Sequence, residues 1–160
     1  MRIQIAAVGR MKQGPEGELV ARYLDRAMAT GKPLGLSGFE VAETPESRSS
    51  SPAVRKSDEA KALRGAIADG AVIVALDEHG RTMGSEAFAA QILRWRDDGR
   101  PAVAFLIGGA DGLDPQLTAS ADLVLSFSPL TWPHQLVRIM LAEQLYRATT
   151  ILAGHPYHRE

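Results

Sequence analysis

The 160-residue chain contains no cysteine. A disulfide framework, a thiolate metal site and a cysteine nucleophile are therefore all excluded. The chain also lacks an excess of charge of either sign, since 18 Lys and Arg residues stand against 19 Asp and Glu residues, for a formal net charge of -1. This balance argues against a uniformly basic nucleic-acid-binding protein, although it leaves room for a local basic patch.

Long hydrophobic runs are missing as well. No stretch approaches the roughly 20 apolar residues of a membrane-spanning helix, and the N-terminal sequence lacks the cleavage site of a signal peptide. We therefore expect a cytoplasmic protein without membrane contact. The hydrophobic content of 45% is that of an ordinary globular protein, and the length predicts a single domain over residues 1–160.

Strand and helix signals alternate along the chain. Continuous apolar runs predict buried strands at 71–76 and 102–107, further strands are predicted at 2–8 and 123–127, and a weaker strand signal lies at 39–41. Capping and proline signals predict helices that begin near Pro15, Ser57, Ser85, Asp114 and Pro133. This alternation is typical of an α/β fold with a mostly parallel sheet.

Residues 44–57 form the one low-complexity stretch, which is rich in serine. One interpretation is a mobile surface loop. The other is a loop that becomes ordered on an anionic partner through Arg48, Arg55 and Lys56. Both interpretations remain open at the level of the sequence.

Ligands of parallel α/β sheets bind beyond the carboxyl ends of the strands. This rule points to residues 76–78, 108–112 and 127–133. The glycines at 108–112 do not have the spacing of a dinucleotide-binding fingerprint, and a plain tight turn explains them equally well. The two prolines of Ser128-Pro129-Leu130-Thr131-Trp132-Pro133 fix a loop backbone, which suits either a binding loop or an ordinary strand-to-helix turn.

The C-terminal part of the chain carries three of the four histidines. The His155-x-x-His158 spacing is a weak metal signal, because neither cysteine nor a suitably placed acid accompanies it, and we predict no metal. The last residues are either a frayed terminus or an RNA-contacting tail, since aromatic and basic groups stack on bases and pair with phosphates. In the preceding helix, Glu143 and Arg147 have the spacing of a surface ion pair.

Four segments taken together resemble one known family. They are Leu76-Asp77-Glu78, FLIGGADGL at 105–113, SPLTWPHQLVRIMLAEQLYRA at 128–148 and the terminal HPYHRE. They are similar to the bacterial SPOUT-class methyltransferases that act on pseudouridine in large-subunit ribosomal RNA, and the likeness covers nearly the whole chain. The activity implied is S-adenosylmethionine-dependent N3-methylation of a pseudouridine in 23S ribosomal RNA on assembled ribosomes.

The resemblance also implies a fold and a set of site residues. The α/β domain would contain a C-terminal trefoil knot and would work as a homodimer. S-adenosylmethionine would bind in the knot, against Leu76, Gly108, Gly109, Ser128, Pro129, Leu130, Thr131, Trp132 and Pro133. Trp132 is bulkier than the leucine expected there and would crowd or cap the adenosine.

The RNA-facing residues implied are Tyr157, His158 and Arg159, with His158 as the proton acceptor. Arg138 and Arg147 would serve RNA binding or dimer packing. Two other functions stay open, namely a non-catalytic ribosome-associated factor and a nucleotide-binding oxidoreductase. The oxidoreductase lacks the ribose-binding acid that normally lies about 20 residues after the glycine loop.

Overall fold

A computed structural model describes residues 1–159. Strands and helices alternate along the chain, and the bounds of the ten principal elements are β1 Arg2–Val8, α1 Pro15–Gly31, β2 Ser37–Thr44, α2 Pro52–Gly65, β3 Val72–Arg81, α3 Ser85–Asp97, β4 Ala102–Ile107, α4 Pro115–Ala119, β5 Leu123–Leu125 and α5 His134–Leu152. A short 3-10 turn, Lys32–Leu34, follows α1. Among the described residues, no helix is both long and apolar enough to cross a bilayer.

The strands form one five-stranded sheet in the order β2-β1-β4-β3-β5. All four pairings are parallel, which confirms the predicted α/β class. In a parallel sheet the carboxyl ends of the strands lie along one edge. The segments that follow β3, β4 and β5 therefore emerge beside each other, although they are far apart in the sequence.

Helices cover both faces of the sheet, because successive side chains of a strand point to opposite sides. On one face, Ile3 and Ile5 join a hydrophobic cluster with α1, α3 and α5. On the other face, Ala6 and Val8 join a smaller cluster with residues of α2 and α4. Each strand of the centre is thus buried on both sides, as its continuous apolar sequence predicts.

One predicted helix start and one predicted capping residue are wrong. The second helix begins at Pro52 with Ser51 as its N-cap, so Ser57 lies inside the helix. Proline suits the first helical position, where its missing N–H costs nothing, and this outweighed the Ser-Asp-Glu signal. The third helix is capped by Gly84, and the Ser85 hydroxyl donates to Gln144 instead.

Arg138, in the second turn of α5, is almost completely buried, with 1% of its side chain exposed. Its guanidinium donates to the backbone carbonyls of Val8 (2.9 Å) and Gly9 (2.6 Å) and forms an ion pair with Glu43 (2.7 Å). Within the described residues, its Nε has no hydrogen-bond partner. The expectation that Arg138 serves RNA or dimer packing is therefore wrong, because its charge is used inside the chain to join α5 to the ends of β1 and β2.

Replacing Arg138 by methionine should lower the free energy of unfolding by about 3 kcal/mol. The change leaves buried carbonyl groups and the Glu43 carboxylate without their donor. Urea denaturation of R138M and wild type measures the difference. Arg22 lies exposed on α1, so R22M is the matched control and should change stability by less than about 0.5 kcal/mol. Equal losses in the two variants would contradict the assigned role of Arg138.

Candidate active site

A cavity of about 1230 Å³ lies at the carboxyl edge of β3, β4 and β5. All three segments marked in the sequence contribute to its wall. The predicted cofactor residues that line it are Leu76, Gly108, Gly109, Ser128, Leu130, Thr131, Trp132 and Pro133. Pro129 is the one predicted residue that does not belong to the lining. The fold thus brings these loops together around one space.

The loop after β4 makes a tight turn in the cavity wall. The Gly112 N–H donates to the Gly109 carbonyl at 3.0 Å, and Gly112 has a left-handed φ of 81°. A Cβ on Gly108 would lie 2.7 Å from the Gly112 carbonyl carbon and 2.9 Å from the Leu113 nitrogen. The turn closes on itself too tightly for a side chain at Gly108, and this leaves backbone exposed toward the cavity.

The loop after β5 is organised by the hydroxyl of Ser128. This oxygen accepts hydrogen bonds from the Leu130 N–H (3.0 Å) and from the indole Nε1 of Trp132 (2.9 Å). The indole is 39% exposed and lines the cavity. Trp132 is therefore a residue of the cavity rim whose indole is held by a hydrogen bond, and it does not belong to the hydrophobic core.

Hydrogen bonds join this part of the chain to Glu78 in the second half of β3. The Thr131 hydroxyl donates to the Glu78 carboxylate at 2.6 Å, and the Ser126 hydroxyl donates to the Glu78 carbonyl at 3.1 Å. The segments contributed by two neighbouring strands are thus held together at the cavity. Glu78 was marked in the sequence only as a strand end, and its pairing with Thr131 has no local sequence signal.

Sequence reasoning missed the contributions of α2 and α4. Lys56 of α2 and Thr118 of α4 line the cavity, together with three carboxylate residues, Asp77, Glu78 and Asp111. The lining therefore carries three acidic side chains and one lysine. The proximity of α2 to the glycine turn depends on its placement on the second face of the sheet, which no spacing within the sequence indicates.

The predicted catalytic residues do not lie at this cavity. The tail docks against the C-terminal half of α5, where the Tyr157 ring packs on Tyr146 with centroids 4.6 Å apart. The Tyr157 hydroxyl donates to Glu143 at 3.1 Å, and Arg147 forms an ion pair with the same carboxylate and lies over the Tyr157 ring. These contacts correct the interpretation of a frayed end, and the ion pair predicted for Glu143 and Arg147 is present as part of a larger cluster.

His158 belongs to the same cluster, whereas Arg159 is exposed. The His158 Nδ1 lies 3.3 Å from Arg147. Because a guanidinium has no acceptor, His158 Nδ1 must accept this hydrogen bond and the proton of the neutral ring lies on Nε2. In this arrangement Arg147 occupies the lone pair that a proton acceptor would need.

The cavity and the tail lie at opposite ends of α5. His134, at the start of the helix, lines the cavity, and Arg147 contacts the tail. A helix rises about 1.5 Å per residue, so these positions are about 20 Å apart along the axis. Within one chain, the structure does not bring Tyr157, His158 or Arg159 to the predicted cofactor residues.

The model of one protein family, described as a predicted SPOUT methyltransferase, matches residues 1–158. The chain belongs to the SPOUT methyltransferase family. It is 57% identical over 159 residues to the ribosomal RNA large subunit methyltransferase H of Brucella anthropi, with 99% of each chain covered. It is 55% identical, with the same coverage, to the protein of that name from Rhodopseudomonas palustris.

Solved structures give the same fold. A probable methylase family protein from Haemophilus influenzae matches with a TM-score of 0.52 and 13% identity, over 99% of this chain and 70% of that one. A probable methyltransferase from Bordetella pertussis matches with a TM-score of 0.52 and 15% identity, over 92% and 93%. The SPOUT protein is thus a methyltransferase, which requires a methyl donor. The oxidoreductase and the non-catalytic factor find no support in these similarities.

The cluster at the tail gives a prediction for pH. Burial, followed by the neighbouring Tyr23 and Glu143, raises the pKa of Tyr157 to about 12 from its ordinary value of 10.0. At pH values between these two pKa values, Tyr157 keeps its proton in the folded chain and loses it in the unfolded chain. The stabilisation from neutral Tyr157 is therefore complete below about pH 10 and lost as the pH rises through about 12.

Ultraviolet titration of phenolate absorbance tests this assignment. The difference between wild type and Y157F should contain one tyrosine that ionises near pH 12. A difference curve centred at the ordinary tyrosine pKa of about 10 would contradict the docked tail.

Proposed function

We propose that the protein transfers the methyl group of S-adenosylmethionine to N3 of a pseudouridine in 23S ribosomal RNA on assembled ribosomes. The observation that carries the proposal is the meeting of the 76–78, 108–113 and 128–133 segments around one cavity. The relatives are named as methyltransferases of large-subunit ribosomal RNA, which supports the choice of RNA.

The lining of the cavity fits S-adenosylmethionine chemically. Apolar side chains such as Leu76, Phe127 and Trp132 suit an adenine ring. The carboxylates of Asp77 and Glu78 suit a ligand with ammonium and sulfonium charges and ribose hydroxyls. The glycine turn would let the donor approach the backbone closely.

This cofactor supplies an electrophilic methyl group on a sulfonium centre when bound. The task of the protein is then to hold donor and acceptor in line, because orientation alone removes much of a bimolecular barrier. The bond between the Ser128 hydroxyl and the Trp132 indole, and the bond between Thr131 and Glu78, would keep the cavity wall rigid. The acceptor nitrogen must lose its proton, for which we retain His158 as the candidate.

The tail would act across a homodimer. Because the tail and the cavity of one chain lie about 20 Å apart along α5, the tail of a second copy would complete the site. Release of His158 from Arg147 would free Nδ1 to accept the proton. The proposed ribosomal substrate makes the cytoplasm the proposed location.

We also propose the C-terminal trefoil knot. It is supported by the end of β3, which packs closely on the end of β5 where the register between the two strands shifts between Leu76 and Arg81. A Cβ on Gly80 would lie 2.8 Å from the backbone of Val124 and Leu125, and the Ser126 N–H donates to the Arg81 carbonyl. A knotted crossing would require this close approach of two backbones.

The activity is tested with methyl-labelled S-adenosylmethionine and ribosomes from a strain that lacks the modification. Label should appear on a pseudouridine of intact ribosomes and not on free ribosomal RNA, because the ribosome would form part of the site. The variant A110W serves as the inactive control, since Ala110 is exposed in the cavity wall between the glycines and the bulk of tryptophan there should obstruct the donor. A protein that binds the donor and labels neither substrate would be a binding factor instead.

Heterodimers test the action of the tail across subunits. One subunit carries A110W, and the other carries Y157F and H158A. This pair retains one intact cavity facing one intact tail and should show up to about half of the wild-type rate if the sites are independent. The matched control places all three changes in one subunit beside a wild-type partner and should be inactive. The reverse pattern would mean that each tail serves its own chain.

A further inference from the structure

Arg55, near the start of α2, forms a two-pronged ion pair with the glycine turn. Its Nε lies 2.6 Å from Asp111 Oδ2, and its second terminal nitrogen lies 3.0 Å from Oδ1. Such a parallel pair fixes orientation as well as distance. Asp111 also lines the cavity, so this ion pair connects α2 directly to the proposed donor site.

The same guanidinium also holds the segment before α2. Its remaining terminal nitrogen donates to the carbonyls of Ser49 (2.9 Å) and Ser50 (3.2 Å). One side chain therefore joins three parts of the chain, namely the loop at 45–51, α2 and the glycine turn. From the sequence, this loop was either a mobile surface loop or a loop ordered by an anionic partner. In the structure, Arg55 connects it to the Asp111 carboxylate of the same chain.

Glu59, one helical turn after Arg55, makes a second connection. It is 6% exposed, and its carboxylate accepts the Ser47 N–H at 3.0 Å. A Cβ on Gly109 would lie 3.1 Å from one of its oxygens and 3.4 Å from the other. The glycine turn thus lies directly against the buried carboxylate, and a side chain at Gly109 would require that carboxylate to shift by a few tenths of an ångström.

We propose that Arg55 and Glu59 are positioning residues for the donor site, which hold the glycine turn in its binding arrangement through Asp111 and Gly109. The inference rests on the proposed use of S-adenosylmethionine and deepens it. The hydrogen bond from the Gly112 N–H to the Gly109 carbonyl closes the turn internally. This bond does not set the position of the turn relative to the rest of the cavity wall. The two contacts from α2 supply that position.

The expected signature is a loss of affinity without a comparable loss of stability. The side chains of Arg55 and Asp111 are 26% and 27% exposed, and ion pairs this accessible contribute little to folding. The position of the glycine turn matters more for donor binding than for folding. The apparent affinity for the donor falls in proportion to the fraction of molecules in which the site is correctly arranged. Arg55 also keeps the pKa of Asp111 below its usual value, so the pair persists at neutral pH.

The experiment measures S-adenosylmethionine binding to R55Q and D111N by calorimetry, with thermal unfolding of each variant. Each change should weaken binding about tenfold, as expected if the turn is correctly placed a tenth of the time. The KM for the donor should rise in step, and the KM for ribosomes should change less than about twofold. R64A is the matched control, because Arg64 lies on the same helix and ties it to Ser120 of the α4 end instead.

The exchanged pair R55D/D111R separates an interaction from two independent losses. It restores opposite charges across the contact, so it should bind the donor at least about threefold more tightly than R55D or D111R alone. Wild-type affinity in folded D111N, or an exchanged pair no better than the single variants, would overturn the inference. Failure of the wild-type protein to bind S-adenosylmethionine would instead remove the proposed function on which the inference rests.

Discussion

The buried guanidinium of Arg138 sets the geometry on which both ends of α5 depend. It donates to carbonyls at the carboxyl end of β1 and pairs with Glu43 at the end of β2. A buried charge with several strong acceptors is costly to displace, so the helix has one position relative to the sheet. The loop at 128–133 precedes this anchored turn and the tail follows the helix, which makes the placement of both depend on the same contact.

The polar side chains around the cavity are held in hydrogen-bonded pairs. Ser128 holds the Trp132 indole, Glu78 holds Thr131, and Arg55 holds Asp111. The first pair closes the 128–133 loop on itself, the second joins that loop to β3, and the third joins α2 to the glycine turn, so the wall is cross-linked in several places. This arrangement suits an enzyme whose chemistry depends on alignment of a reactive donor rather than on a strong nucleophile.

The tail illustrates a different use of polar contacts. Glu143 receives both Arg147 and the Tyr157 hydroxyl, and Arg147 in turn donates to His158. Tyr157 and His158 are residues that the sequence suggested for RNA contact and proton transfer. Here they satisfy one another on the surface of α5, and engagement of a substrate would have to exchange these contacts for new ones.

Much of the fold and half of the site were accessible from the sequence. The continuous apolar runs at 71–76 and 102–107 predicted buried parallel strands. The rule for strand ends then selected Leu76, the glycines at 108–112 and the loop at 128–133. The start of α2 was missed because several capping residues compete within a few positions, and local propensity does not choose among them. The burial of Arg138 was missed because its partners lie about 130 residues away in the sequence.

The sequence by itself determined the class of the fold and the places where the chain can bind a ligand, because hydrophobic periodicity and glycine or proline positions act locally. Only the tertiary structure decided which charged groups meet. Arg55 and Asp111 are 56 positions apart, and Arg138 and Glu43 are 95 positions apart. Such pairs arise from the parallel sheet and its two helical layers, which bring distant strand ends to one edge, and no local pattern encodes them.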